Sequence, residues 1–217
     1  MPVPITIGGT VLSFLLSLSS VHAQNLEASN NVTALYGTWS SGSGGVTTGS
    51  GFANPLAYSF NYPATSGIAY SFDNEGHFEE AQYRFNSNAS LPNCIQTVVI
   101  WQHGTYTLNT NGSLTLTPFA GDGRIQVQDP CAAVTNVITV YEQKTYYSHW
   151  DIIVDTVPNN YMLELAKFDG SAMPGLYLQA RPPNMLPTIQ LSDQAVTTTT
   201  STAAASATKR SLLSNWF

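Results

Sequence analysis

One stretch, residues 68–85, constrains the fold more than any other part of the sequence. Residues 68–72 (IAYSF) alternate large apolar and small side chains, and side chains on a strand change faces at every residue. Residues 73–76 (DNEG) then supply the Asp, Asn and Gly that favour a tight turn. Residues 81–85 (AQYRF) alternate again, whereas Phe78 has the opposite parity and requires a bulge or burial of both faces. The stretch predicts a β-hairpin with one apolar face.

A second hairpin is predicted where Asn-Gly separates two alternating segments, residues 104–108 and 113–117. We expect its inner face to carry Tyr106, Leu108, Leu114 and Leu116. Residues 161–168 have a composition that a helix would tolerate. The Asp-Gly pair that follows them, with residues 176–180 as a partner, favours one more hairpin instead.

Many short strands separated by turns are typical of an all-β domain. We therefore predict an antiparallel β-barrel of lipocalin-like type, with a β-sandwich as the alternative. Closure of the sheet would remove the unpaired edges that an open sheet exposes.

The N-terminus predicts entry into the secretory pathway. Residues 1–23 have the apolar centre and the small-x-small ending (Val-His-Ala) of a signal peptide. Three Asn-x-Ser/Thr sequons, at Asn31, Asn88 and Asn111, are predicted N-glycosylation sites in surface loops. The formal net charge of −6, with charged residues at only 9%, gives no basic footprint for nucleic acid.

The sequence contains two cysteines, Cys94 and Cys131, which are 37 positions apart. In an oxidising lumen two cysteines most simply form one disulfide. The alternatives are two free thiols or a redox pair. A redox pair would need closer spacing such as C-x-x-C.

The composition divides the chain into three parts. The signal peptide is followed by a predicted β-domain over residues 24–190 and by a flexible Ser-, Thr- and Ala-rich tail over residues 191–217. The apolar ending after Lys209 is much shorter than the roughly 20 residues of a membrane-spanning helix.

Candidate catalytic and metal-binding groups are scarce. A metal site could be built from His77, Glu79, Glu80 and His103, but strand parity separates Glu79 from Glu80. We favour a solvated outer face for both glutamates. A carboxylate pair for glycoside hydrolysis could come from Glu79, Glu80, Asp122, Asp151 and Asp155, although its defining separation is spatial. Neither G-x-S-x-G, a P-loop nor H-E-x-x-H occurs, so we predict no enzyme, no catalytic or metal residue and no cofactor.

The aromatic residues suggest a binding role. Aromatic residues make up 11% of the chain, more than closure of one barrel needs. Most of them are expected in the core, and some could form a surface for apolar segments or sugars. The candidate client- or ligand-binding aromatics are Trp39, Tyr70, Phe72, Tyr83, Trp101 and Tyr106.

Several short motifs over roughly residues 35–190 resemble, in their order, the fungal "reversal of TOR lethality" (ROT) family of endoplasmic-reticulum chaperones. The run at 181–188 (RPPNMLPT) is the most specific of them. The other motifs are LYGTWSS (35–41), YSF (70–72), FEEA (78–81), QHGTY (102–106), GDGR (121–124), DPC (129–131) and YL (177–178).

The resemblance implies a molecular chaperone of the endoplasmic-reticulum lumen, with unfolded or nascent secretory and cell-wall glycoproteins and other lumenal chaperones as partners. It also implies support of β-1,6-glucan levels and of cell-wall integrity. Members of the family are anchored by one C-terminal membrane helix, and this sequence departs from them by showing no such helix after residue 209. The resemblance implies no catalytic residues. From the residues alone, a small-ligand or glycan-binding barrel remains the alternative function.

Overall fold

The computed structural model describes residues 35–192. The predicted signal peptide, the sequon at Asn31 and the tail beyond residue 192 lie outside the described residues. Twelve β-strands run through the described part: β1 (Gly37–Ser41), β2 (Ala53–Asn54), β3 (Ser59–Phe60), β4 (Gly67–Phe72), β5 (His77–Asn86), β6 (Gln96–Leu108), β7 (Leu114–Pro118), β8 (Arg124–Gln128), β9 (Asn136–Val140), β10 (Thr145–Asp155), β11 (Asn160–Lys167) and β12 (Leu176–Ala180).

Ten of these strands form one antiparallel sheet, and β2 with β3 forms a separate small ladder. The order within the sheet is β5-β4-β1-β12-β11-β10-β7-β6-β8-β9, and β5 also pairs with β6. That last pairing returns the ladder to its start, so eight strands close into a ring. The all-β antiparallel prediction is confirmed. A closed β-barrel and a β-sandwich both surround one core with two layers of strands. In this structure the β5–β6 pairing connects the two layers.

All three predicted hairpins form: β4 with β5, β6 with β7, and β11 with β12. Tyr106 lies opposite Leu116, and Leu108 lies opposite Leu114. The β4–β5 hairpin is regular, with Phe72 opposite Phe78 and no bulge. Burial of both faces of the hairpin therefore accommodates Phe78, whose side chain lies on the face opposite to Ala81, Tyr83 and Phe85. The expectation of a single apolar face is wrong.

The long strand β6 pairs with two strands along one of its sides. Its first half (residues 97–101) pairs with β8, and its second half (residues 104–108) pairs with β7. Gly104 lies where the partner changes, and a Cβ atom there would sit 2.1 Å from the Thr117 carbonyl oxygen. Only glycine allows this approach, which lets β8 and β9 leave the ring as an extension of the sheet.

The two faces of the sheet bury two separate cores. The inner core draws large apolar side chains from all eight ring strands, including Trp39, Tyr70, Leu116, Trp150 and Leu163. The second core lies on the outer face of β4, β5 and β6. Among residues 35–192, no helix is long and apolar enough to cross a bilayer.

Candidate functional site

Five of the six predicted binding aromatics are core residues. Trp39, Tyr70, Phe72 and Trp101 are fully buried, and Tyr106 is 6% exposed. In the folded domain these side chains cannot contact a client, so the structure corrects this part of the site prediction. Alternating aromatics mark the faces that the fold buries, and here it buries both faces. Of the six, only Tyr83 is half-buried.

The outer face of β4, β5 and β6, here called the outer wall, is covered by two segments. One segment spans residues 46–60, and the other spans residues 181–192, here called the strap. Phe52 and Val46 from the first segment pack with Trp101 of the wall. Leu186 and Leu191 of the strap pack against the same cluster. The R-P-P-N-M-L-P-T motif is therefore part of the cover of the outer wall.

Glu79 joins both covering segments to the wall. Its Oε1 accepts hydrogen bonds from the Gly49 backbone N–H (2.5 Å) and from the Trp101 indole (2.7 Å). Its Oε2 accepts a bond from the backbone N–H of Leu186 in the strap (2.6 Å). Burial raises the pKa of Glu79, and the three donors oppose that shift. The prediction of a solvated Glu79 is wrong because the covering segments exclude water from it.

The strap is held at its start by Asn184. The Asn184 backbone N–H donates to the Thr38 hydroxyl (2.8 Å), and its side-chain amide donates to the Thr48 carbonyl (2.6 Å). The Asn184 carbonyl accepts bonds from the hydroxyls of Thr48 (2.6 Å) and Ser71 (3.1 Å). Asn184 thus binds β1, β4 of the outer wall and the 46–60 segment.

The end of the strap is held by Asp122, which is 1% exposed. Its carboxylate accepts bonds from the backbone N–H groups of Leu191 and Ser192 (both 2.6 Å) and contacts the His103 ring at Nε2 (2.7 Å). Burial would raise the pKa of Asp122, but donors from Ser192, His103 and Leu191 hold it below its usual range. Burial lowers the pKa of His103 in spite of the Asp122 partner.

Glu80 points to the opposite side, into the inner core. Its carboxylate accepts hydrogen bonds from the Tyr70 hydroxyl (2.8 Å), from the side-chain amide of Gln102 (2.6 Å) and from that of Gln82. The Tyr70 hydroxyl also contacts that of Tyr147 (2.6 Å). Glu80 is 3% exposed, so its predicted solvation is also wrong.

Among residues 35–192, the groups considered for catalysis or metal binding have structural partners. Glu79 and Asp122 hold the strap, Glu80 lies in the inner core, and the Asp155 carboxylate accepts a bond from the Tyr177 hydroxyl (2.7 Å). The Asp151 carboxylate accepts a hydrogen bond from the backbone N–H of Ile152 on β10. His77 contacts Asp73 (2.8 Å) in the β4–β5 turn, where Asp73 also accepts two backbone bonds.

The predicted disulfide is confirmed: Cys94 and Cys131 are bonded, with a Cα–Cα distance of 5.6 Å. It connects the β5–β6 loop to the segment that joins β8 and β9. The sequons at Asn88 and Asn111 are exposed on loops. The Asn111 side chain accepts bonds from the backbone N–H and hydroxyl of Ser113. Glycosylation of both stays a prediction.

The accessible apolar side chains lie elsewhere on the surface, and one group of them lies around β8 and β9. We call β8, β9 and the joining residues 129–135 the open hairpin. Exposed apolar side chains on the open hairpin and on the disulfide-linked loop and its flanks are Phe85, Leu91, Ile95, Val134, Val137 and Val140. Residues 132–141 contain no charge, no Pro and no Gly. Within residues 35–192, the second edge of β9 has no partner strand.

Comparison with known proteins places this sequence in a family. A sequence model described as "Rot1: Chaperone for protein-folding within the ER, fungal" matches residues 35–216. The chain belongs to the Rot1 family. It is 43% identical over 166 residues to protein rot1 of Aspergillus niger, covering 76% of this chain and 70% of that protein. It is 40% identical over 206 residues to protein ROT1 of Debaryomyces hansenii, covering 93% and 84% of the two chains.

A third relative of the Rot1 family is protein rot1 of Schizosaccharomyces pombe, which is 45% identical over 162 residues and covers 75% of this chain and 70% of its own. The resemblance stated from the motifs is therefore confirmed. No solved structure matches the chain. The Rot1 family is described as a chaperone for protein folding within the endoplasmic reticulum, and a chaperone acts by binding its client proteins.

Proposed function

We propose that this protein holds unfolded segments of secretory and cell-wall glycoproteins in the endoplasmic-reticulum lumen until they fold. The observation that carries the proposal, beside membership of the Rot1 family, is the set of exposed apolar side chains in the uncharged run 132–141 of the open hairpin. Val134 is 65% exposed there, and its neighbours along residues 132–141 are uncharged. Val134, Val137 and Val140 give this hairpin three exposed apolar side chains, and exposed apolar groups of this kind mark interaction sites in soluble proteins.

The β-domain, not the tail, is the proposed holder of clients. The segment from Thr197 to Thr208 is almost entirely Ser, Thr and Ala, so it buries too little apolar area to offset the ordering of a client segment. The sequence has no nucleotide-binding motif, and we propose that binding needs no ATP. A small-ligand function has no comparable support, because the large apolar side chains of the inner core pack against one another.

The cellular consequences proposed here extend beyond folding itself. Cell-wall glycoproteins that fail to fold would lower β-1,6-glucan in the wall and weaken it. Other lumenal chaperones are proposed partners, and the sequons at Asn31, Asn88 and Asn111 are proposed to carry glycans. Family members are proposed to act at the membrane through a C-terminal helix.

The direct test is suppression of client aggregation. The purified full-length mature chain is added, without nucleotide, to a heat-denatured glycoprotein, and light scattering is followed. We expect scattering to fall as the chain approaches equimolar amounts. A control protein of similar charge should leave scattering unchanged. Undiminished scattering at excess chain would contradict a holding activity.

A second test addresses the cell wall. In a fungal host depleted of its own Rot1-family protein, expression of this chain is expected to restore β-1,6-glucan measured in isolated walls. A matched strain that expresses an unrelated lumenal β-protein is the control. Restored glycoprotein folding without restored glucan would remove the cell-wall part of the proposal.

A further inference from the structure

The open edge of β9 combines three properties that rarely occur together. Antiparallel pairing with β8 places Gly123 opposite residue 141 and Asp129 opposite residue 135, and both pairs are hydrogen-bonded. Because hydrogen-bonded pairs alternate along an antiparallel ladder, Val137 and Thr139 also bond to β8. The backbone N–H and C=O groups of Asn136, Ile138 and Val140 therefore point away from β8, to the open edge.

The second property is the sequence of this edge. Residues 136–141 read NVITVY, which has high β-propensity, no charge and no Pro or Gly. Such six-residue segments add strands from other chains readily. Natural proteins protect exposed edges with Lys, Pro, bulges or inward charges, and β9 has none of these.

The third property is rigidity of the edge. The Cys94–Cys131 disulfide ties the segment before β9 to the β5–β6 loop. On the other side, the Arg124 side chain of β8 donates to the carbonyl oxygens of Pro55, Gly121 and Gly123, and its guanidinium lies 4.1 Å from the Tyr58 ring centroid. The open hairpin is thus fixed before any partner arrives, which reduces the ordering cost of binding.

A comparison within the sheet separates β9 from other unpaired strand segments. The second half of β10 lacks a partner on one side among the described residues, but it carries Asp151 and Asp155. Those carboxylates repel an incoming apolar strand, as protective charges do at natural edges. The β9 edge has no such charge. Its chemistry matches an extended, uncharged polypeptide segment.

We propose that the edge of β9 binds an extended, uncharged segment of an unfolded client as an additional antiparallel or parallel strand. The bonds run to the client backbone, so recognition tolerates many sequences, as a chaperone requires. The exposed Val137 and Val140 side chains favour apolar residues in the added strand. This inference rests on the chaperone function proposed above and names the surface and the binding mode.

The test uses Ile138→Pro in the full-length mature chain. Proline removes the outward N–H of Ile138 and places its ring at the edge, while the bonds of Val137 and Thr139 to β8 remain. Ile138→Thr is the matched control, because it removes apolar area but keeps the N–H. We expect Ile138→Pro to need at least about fivefold more chain to protect the client, from loss of one net hydrogen bond. Ile138→Thr should protect nearly as well as the wild type.

Amide exchange of the wild-type chain provides a second, mutation-free measurement. Reduced, carboxymethylated α-lactalbumin serves as a permanently unfolded probe. We expect the probe to slow exchange at Asn136, Ile138 and Val140, which supports the proposal even if Ile138→Pro fails to fold. Unchanged exchange at these amides, or full protection of clients by a folded Ile138→Pro, would overturn it.

Other outcomes identify other occupants. If these amides are protected before the probe is added, and Ile138→Pro turns a dimer into a monomer, a second copy covers β9. If they are protected in the monomer, the chain's own terminal residues cover it. Either result overturns client binding at the edge. If the wild-type chain fails to suppress aggregation at all, the chaperone function itself fails, which is a separate result.

Discussion

The outer wall and the open hairpin are adjoining parts of one antiparallel sheet, yet the chain treats them in opposite ways. Over the outer wall, the strap and the 46–60 segment cover the apolar side chains, and Glu79, Asp122 and Asn184 bind the backbone groups of the cover. At the open hairpin, apolar side chains and one row of backbone groups face solvent. The fold therefore contains segments that cover strand surfaces. Among residues 35–192, none of them pairs with the open edge of β9.

The largest change in stability is expected from removal of the disulfide of the open hairpin. Replacing both Cys94 and Cys131 by alanine should lower the free energy of unfolding by about 4 kcal/mol in the chain-entropy model. The loss arises because the reduced unfolded chain gains conformational freedom. Urea denaturation measures it, with reduced wild-type protein as the control. Equal free energies of unfolding for oxidised and reduced wild type would show that the disulfide does not stabilise the fold.

Glu79→Ala should have the next largest effect, at the covered wall. It leaves the N–H groups of Gly49, Trp101 and Leu186 buried without an acceptor, which should cost about 3 kcal/mol of unfolding free energy. Glu142→Ala, at an exposed position, should change stability by less than about 0.5 kcal/mol. Similar values for the two variants would show that Glu79 does not hold the cover of the outer wall.

Burial of His103 predicts a pH dependence of the covered wall. Because burial lowers the pKa of His103, the unfolded chain binds a proton more readily than the folded one below about pH 6.5. Stability is therefore fully present above that pH and falls on acidification, by at most about 1.4 kcal/mol per pH unit for one proton.

His103→Gln should flatten this pH dependence while keeping a donor near Asp122. Chemical denaturation at pH 7.5 and at pH 5.5 measures the difference, and His149→Gln is the control variant at an exposed histidine. The depressed pKa of Asp122 adds a second loss only at lower pH, as the pH falls below about 3.9 toward the folded-state pKa. A His103→Gln slope equal to that of the wild type would assign the acid sensitivity to another group.

The smallest expected effect is a difference in hydrogen-exchange rate between neighbouring amides of β9 in the free protein. Amides of Val137 and Thr139, which bond to β8, should exchange more slowly than those of Asn136 and Ile138, which face the open edge. Amides of the outer wall, such as that of Ala81, should be slowest. Uniform protection along β9 would mean that its edge is covered in solution.

The sequence by itself determined the all-β class, the hairpins and the disulfide. Alternation at residues 68–72 and Asn-Gly before Ser113 are local signals, since strand parity and turn geometry depend on neighbouring residues. The pairing of Cys94 with Cys131 needed only the count of cysteines. The family resemblance likewise followed from short motifs, above all residues 181–188, which the comparisons bear out.

Tertiary structure decided which strand faces are covered. Glu79 and Glu80 are adjacent, yet one holds the strap and the other lies in the inner core, and both are buried because distant segments pack over them. The aromatic signal predicted binding residues that turned out to be core. The uncharged run at residues 136–141 indicated a strand, but not its place at the end of the sheet. Edge position depends on the pairing of all the strands, and no local pattern carries that information.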